Sequence, residues 1–144
     1  MAAGLYYSEA LYLKRWGVEE LDRLTMGEDD VRDPEAFNAA NADASADMDA
    51  YLGGRYKLPF VEPIPRLLVS IAAVLVREKL HGTYATEAVT READQARRTL
   101  RDLSNGTATL TVDDTGEQPE QGGGIGSAWA APGRVFDAET LAKF

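Results

Sequence analysis

One stretch decides the fold, Asp43-Ala-Ser-Ala-Asp-Met-Asp-Ala-Tyr-Leu-Gly-Gly-Arg-Tyr-Lys-Leu-Pro59. It joins an acidic, Ala-rich helix to an aromatic and basic exit that stops at a proline. The double glycine ends the helix. Pro59, Pro63 and Pro65 then predict an extended connector, because proline lacks a backbone N–H and keeps the preceding residue out of the helical region.

Helical patterns lie on both sides of this stretch. Asp33 as N-cap and Pro34 in the first turn predict that the helix begins there and runs to about Leu52. A central helix is expected over residues 65–80, where most faces are apolar, and a last helix over 86–104, where apolar residues recur in steps of four and three. Two short helices are predicted before them, over residues 8–17 and 18–24. The fold class is therefore all-α, a small helical bundle.

The chain changes character after residue 105. Alternating Thr and apolar residues over 107–112, followed by Asp-Asp-Thr-Gly, indicate a short β-hairpin. Residues 117–128 are typical of a flexible linker. We therefore predict a helical core over residues 1–105 and an extended C-terminal arm over 106–144, which ends in a short helix.

Composition limits the functions that fit. The net charge of −9 argues against a sequence-independent grip on nucleic acid, which depends on Lys and Arg. The absence of cysteine excludes disulfides and thiolate metal sites. The most apolar stretch, residues 67–76, is much shorter than the roughly 20 residues of a membrane span, and no signal peptide is visible. A soluble protein is expected.

Side chains suited to catalysis or metal binding are sparse. His81, the only histidine, is expected to cap a helix end or to pack as a ring. The glycine run at 122–127 has no following Lys and no preceding strand, so it is interpreted as a linker rather than a phosphate loop. Asp43, Asp47 and Asp49 indicate a solvated or subunit-facing helix face. We predict no catalytic residue, no metal and no cofactor.

Two groups of residues are candidates for partner binding. Arg55 and Tyr56 follow the double glycine, where they either pack, with Arg55 paired to a helix carboxylate, or belong to a subunit contact, since Arg and Tyr are enriched among interface anchors. The large side chains that follow the linker form the second group, because so short a terminal helix needs a surface to order on. This group consists of Trp129, Arg134, Phe136, Leu141 and Phe144.

With its neighbours, the opening stretch resembles the neck proteins of Mu-like bacteriophages and prophages. Residues 7–25, 63–80 and 86–106 are also similar to segments of that family, so about three quarters of the chain is covered. The chain departs from the family pattern at Ala93, where a Tyr is usual, and in the shortened loop over residues 26–33. An ion bound by the longer loop of relatives is therefore not expected here.

The resemblance implies a structural virion protein, a head-tail adaptor in the phage neck, assembled in the host cytoplasm. Its implied partners are the portal protein, a tail-side neck or tail-terminator protein, and further copies of itself in a ring of expected twelvefold order. Genomic DNA would pass through the lumen without specific binding, and no membrane is involved. Two other classes stay open: a small helical regulatory or nucleic-acid-associated module of a prophage, which the charge disfavours, and an enzyme, for which no nucleophile and base pair is present.

Overall fold

The computed structural model describes residues 5–111 and 119 of the chain. The described residues form five α-helices and a short 3₁₀ turn, and they contain no sheet, so the all-α prediction is confirmed. The helices are α1 (Glu9–Trp16), α2 (Val18–Thr25), α3 (Pro34–Leu52), α4 (Arg66–His81) and α5 (Glu87–Asn105), with the 3₁₀ turn at Gly82–Tyr84 between the last two.

Helices α1, α3 and α5 begin where the sequence supplies a capping oxygen. The hydroxyl of Ser8 accepts a hydrogen bond from the N–H of Leu11, and the carboxylate of Asp33 accepts one from the N–H of Glu35. Thr86 caps α5 in the same way. Such bonds satisfy backbone donors that have no partner within the helix. At its other end α5 stops at Gly106, whose φ of 81° is a left-handed conformation that glycine adopts without steric cost.

Three long helices form the centre of the molecule. Helix α3 packs against α4 and α5, and α4 also packs against α5. The apolar face predicted for α5 is confirmed, because the five apolar residues that recur in steps of four and three are all buried. Helix α4 is buried on several faces, as expected for a central helix. The buried residues of these two helices are Leu68, Ile71, Ala72, Ala73, Leu75, Val76, Val89, Ala93, Ala96, Leu100 and Leu103.

The two short helices α1 and α2 form a hairpin that covers the three-helix centre. Tyr12 of α1 is fully buried, and its ring meets Phe37 of α3 edge to face, with 5.8 Å between ring centroids. Helix α2 contributes the buried Leu21 and contacts both α3 and α4. The chain just before α1 is held to α3 as well, because the side-chain amide of Asn41 donates to the carbonyl oxygen of Tyr7 at 2.8 Å.

The packed region continues beyond the boundary predicted after residue 105. Leu110 is 1% exposed and belongs to the hydrophobic core, and Ala108 packs against it partly buried. Residues 107–111 contain no strand, although their exposure alternates as the Thr pattern suggested. The rest of the predicted hairpin, and the arm from residue 120, lie outside the described residues.

No helix in the described part of the chain has both the length and the apolar character that crossing a membrane requires.

Candidate partner-binding surfaces

Arg55 stabilises the turn through which the chain leaves α5. Its Nη1 donates to the carbonyl oxygens of Leu103 and Ala108, at 2.7 and 2.8 Å. These two carbonyls lie on either side of Gly106, so one guanidinium group closes the C-terminal turn of α5. Backbone oxygens are thus the described partners of Arg55, where the packing interpretation of the sequence had expected a helix carboxylate. A subunit contact by Arg55, which is partly exposed, stays a prediction.

Tyr56 lies inside the core. It is 1% exposed, its ring packs on Phe60 with 5.8 Å between centroids, and its hydroxyl accepts from the N–H of Leu110 at 3.4 Å. Arg55 lies 5.2 Å from the centre of the same ring, close enough for a cation–π contact. The described structure therefore places Tyr56 in a packing role beneath Arg55, with almost no surface to offer a partner. The five arm residues predicted to bind partners lie outside the described residues.

A second polar site ties the α1–α2 hairpin to α4. Both carboxylate oxygens of Glu20 accept from Arg77, with Nε at 2.8 Å and Nη2 at 3.0 Å, and the hydroxyl of Tyr12 donates to Glu20 at 2.8 Å. Arg77 also lies 5.1 Å from the centre of the Trp16 ring. Glu20 and Arg77 have side chains only 15% and 22% exposed, so this bidentate pair is partly shielded from water. It fixes the hairpin to the bundle.

His81 lies beside this pair, with Nε2 3.9 Å from a Glu20 oxygen and no hydrogen-bond partner for Nε2 in the described part of the chain. Burial lowers the pKa of His81; Glu20 acts against this shift, while Arg77 and Arg23 add to it. Burial alone would raise the pKa of Glu20, but the hydrogen bonds from Arg77 and Tyr12 outweigh it and hold that pKa below its usual range. The histidine is a packed ring, the second of the two roles expected for it.

The acidic residues of α3 also contact neighbouring elements. Asp47 pairs with Lys79 of α4 at 2.8 Å, and Asp49 accepts a short hydrogen bond from the hydroxyl of Tyr6. Asp43 is exposed. Two of the three carboxylates predicted to line a solvated or subunit-facing face therefore also bind neighbouring elements, while the side chain of Asp47 remains 47% exposed. Across residues 5–111 and 119, no cluster of His, Cys, Asp and Glu has an arrangement suited to a metal ion.

Large apolar side chains remain exposed at several places on this firmly tied core. Tyr84, in the 3₁₀ turn, is 90% exposed, and Val61, in the proline-rich connector, is 83% exposed. Aromatic and aliphatic side chains presented in this way are suited to burial against another protein. Further exposed apolar residues are Leu5, Leu11, Val18, Met26, Val31 and Leu67.

Sequence reasoning missed both the Glu20–Arg77 site and the apolar surface of α1. Arg77 lies near the end of α4, and its partner Glu20 is 57 positions away in the chain. A local signal for the site existed, since Tyr12, Trp16 and Glu20 recur at four-residue steps across the hairpin. For α1, Leu11 and Arg15 share a face one turn apart, which the buried Tyr12 does not occupy.

Comparison with known proteins agrees with this helical architecture and with the sequence resemblance. The family model described as "Bacteriophage Mu, Gp36" matches residues 6–128, which include nearly all of the packed core. The chain is also similar to the Mu-like prophage FluMu protein gp36 of Haemophilus influenzae, with 28% identity over 131 residues, 87% of this chain and 92% of that protein. Because the family match spans well over half of the sequence, this chain is a phage protein that belongs to the bacteriophage Mu Gp36 family.

Proposed function

We propose that the protein is a head-tail adaptor of a Mu-like phage or prophage, a structural subunit of the virion neck. The observation that carries the proposal is the Gp36 family match over residues 6–128, because it covers the packed core and the first part of the arm. The resemblance of the central motif to neck proteins supports a position in the virion neck. The function is structural and not enzymatic.

The core is built as a rigid subunit. Its partly buried charged groups join elements that are distant in the chain, as Glu20 does with Arg77 and Glu78 does with Arg97. Arg32 holds the loop before α3 through Asp22 of α2 and Glu9 of α1. These ion pairs hold the helices and the loop before α3 in fixed relative positions, and a fixed subunit shape lowers the entropic cost of assembly. The exposed Tyr84 and Val61 are the kind of side chain that assembly would bury.

In this role the protein contacts the portal protein on one side and a tail-side neck or tail-terminator protein on the other. Copies of the chain lie side by side in a ring, for which we propose twelvefold order. The genome passes through the ring without specific binding, because a subunit with a net charge of −9 repels a polyanion. The protein is then located at the head-tail junction after assembly in the host cytoplasm.

Electron microscopy of portal particles mixed with the purified protein tests the proposal. The expected result is an added ring of density on the tail side of the portal. Portal particles that gain no density would refute the adaptor role.

A gel retardation assay over a range of salt concentrations tests the alternative of a nucleic-acid-binding module, since such a module retards DNA and loses that binding as salt rises. An adaptor leaves the DNA unretarded.

The arm is tested separately, with the double substitution Trp129→Ala and Phe136→Ala. If the arm binds the partner, the melting temperature stays nearly unchanged and incorporation into portal particles is lost, because aromatic anchors dominate interface energies. The matched control replaces two polar arm residues, Gln118→Ala and Gln121→Ala, and incorporates normally. Lowered melting would instead indicate an arm folded on its own core, and normal melting with normal incorporation would remove both interpretations.

A further inference from the structure

A groove runs between α1 and α4, and we call it the α1 groove. It encloses about 250 Å³, which is below the roughly 300–1,000 Å³ typical of small-molecule sites, so it suits a few side chains of another protein better than a cofactor. Tyr7 lines it as a residue only 6% exposed, and the buried hydroxyl of Tyr7 has no hydrogen-bond partner among the described residues. The lining residues are Tyr7, Leu11, Lys14, Arg15, Val69 and Ser70.

The α1 groove is apolar at its sides and positively charged at its edge. Leu11 and Val69 supply the apolar surface, and Lys14 and Arg15 supply two exposed cations on a chain that is acidic overall. Neither cation forms an ion pair within residues 5–111 and 119, although Arg15 lies over the Trp16 ring. A matching occupant carries carboxylates next to apolar side chains. A neighbouring cavity of about 320 Å³ shares Arg15 and Ser70 but is lined by the carboxylate of Glu92, which disfavours acidic occupants there.

The same chain presents an occupant of this chemistry in the loop between α2 and α3. Residues 26–31, which we call the acidic loop, are all exposed. Its ends carry the apolar Met26 and Val31, 48% and 60% exposed, and its middle carries three carboxylates. None of these carboxylates forms an ion pair with another residue in the described part of the chain. The three are Glu28, Asp29 and Asp30.

The acidic loop is held in one conformation. The N–H of Gly27 donates to the carbonyl oxygen of Val31 at 2.9 Å, and the N–H of Asp33 donates to the carbonyl oxygen of Thr25 at 2.8 Å. Arg32 pairs on one side with Asp22 and on the other with Glu9. A loop fixed in this way loses little conformational entropy when another surface covers it.

The loop and the groove lie on different sides of α1. Glu9 contacts Arg32 at the base of the loop, whereas Leu11 and Arg15 lie roughly 160° and 120° around the helix from Glu9, at about 100° per residue. No residue of the acidic loop lines the α1 groove of its own copy. Two complementary patches on different sides of one subunit make a head-to-tail contact, and such contacts form a ring when the rotation between neighbours closes.

We propose that the acidic loop of one copy docks into the α1 groove of the next, so that this pairing forms the contact between neighbouring subunits. The inference rests on the proposed ring function and deepens it by naming the interface. Met26 and Val31 of one copy lie against Leu11 and Val69 of its neighbour, while the loop carboxylates face Lys14 and Arg15. Opposite charges at the edge of such a contact select its register and speed its formation, and the apolar residues supply the burial.

Directed cross-linking tests the contact, and the cysteine-free chain makes it specific. One variant carries Ser70→Cys in the groove, a second carries Glu28→Cys in the loop, and the two are mixed with a short bismaleimide, in solution at raised concentration and on portal particles. The expected product is a covalent dimer that forms only in the mixture. The matched control pairs Glu28→Cys with Thr90→Cys, an exposed position on α5, and yields little dimer. Equal yields from the two pairs would refute the docking.

Charge reversal supplies an independent test that needs no cysteine. Lys14→Glu with Arg15→Glu makes the groove acidic, and Glu28→Lys with Asp29→Lys makes the loop basic. Each pair of substitutions is expected to weaken self-association, measured by sedimentation, at least about tenfold, because like charges then face each other. All four substitutions together restore the complementarity and the net charge of −9, and association recovers. Failure of the fourfold variant to exceed the two double variants would overturn the proposal.

The control for charge reversal is Arg98→Glu with Arg101→Glu on the exposed surface of α5, which changes the net charge as much as the groove variant does. It is expected to associate like the unmodified protein.

The experiments also separate this inference from the adaptor role. A ring on the portal whose neighbours do not cross-link through Ser70→Cys and Glu28→Cys refutes the interface alone. Absence of any ring refutes the adaptor role, while the cross-link in solution still decides the pairing.

Discussion

Replacing Leu110 with alanine is expected to destabilise the protein, although this residue follows the last helix by several positions. Leu110 is 1% exposed and belongs to the same core as Tyr56. Leu→Ala substitutions in cores cost about 2–5 kcal/mol. The lower part of that range, about 2–3 kcal/mol, applies here because exposed residues flank Leu110 on both sides and the segment can partly close the cavity. For a domain of this size such a loss lowers the melting temperature by about 10 °C.

Urea unfolding followed by circular dichroism measures the effect, with thermal melting as a second readout. The matched control is Thr109→Ala, an exposed neighbour on the same segment, which is expected to change stability by less than about 0.5 kcal/mol. Comparable small effects at both positions would show that the segment after α5 is not packed, and would contradict the role assigned to Leu110.

Truncation extends the same reasoning. A chain that ends at Gly106 loses the side chain of Leu110 and the Ala108 carbonyl that accepts from Arg55. It is expected to remain helical but to be less stable than a chain ending at Thr111, by about 2–4 kcal/mol. The chain ending at Thr111 is expected to melt cooperatively. Equal stability of the two truncated chains would place the end of the folded core at residue 106.

Three further predictions follow from the described contacts. Glu20→Gln is expected to cost about 2 kcal/mol by weakening the hydrogen bonds to Arg77 and Tyr12, measured by urea unfolding against the exposed neighbour Glu19→Gln as control. Folding lowers the pKa of His81, so the contribution of His81 to stability is complete above its unfolded pKa of about 6.5 and is lost as the pH falls through its folded pKa. The stability of the His81→Leu variant should therefore depend less on pH between these two pKa values. Asp30 has a φ of 55°, so Asp30→Val should lower stability by about 1–2 kcal/mol in thermal melting, whereas Asp30→Gly should not.

The helices were predictable because local signals define them. Asp33 and Pro34 mark the start of α3, and the double glycine marks its end, as the structure shows. The steps of four and three on α5 likewise identify its buried face before any contact is known. In these cases one segment of the chain contains both the signal and its consequence.

The candidate sites were less predictable because their partners are distant in the sequence. Arg55 donates to the carbonyl oxygen of Leu103, which is 48 positions away. Every residue has such an oxygen, so this acceptor could not be recognised from the sequence. Leu110 was assigned to the arm because threonines surround it, yet its side chain is buried in the core and its N–H donates to the hydroxyl of Tyr56. The α1 groove depends on α4 packing next to α1, so Leu11 and Arg15 had no detectable role until both helices were placed.

The double hydrogen bond of Arg55 also determines how the core responds to a pull on the arm. Tension along the chain from residue 111 onward reaches the Arg55 guanidinium and the buried Leu110 before it reaches the last turn of α5. Part of the load therefore passes through Arg55 into the connector after α3, and unwinding α5 from its end also requires breaking these contacts. A subunit held by its arm can thus bear mechanical stress while its helices keep their positions.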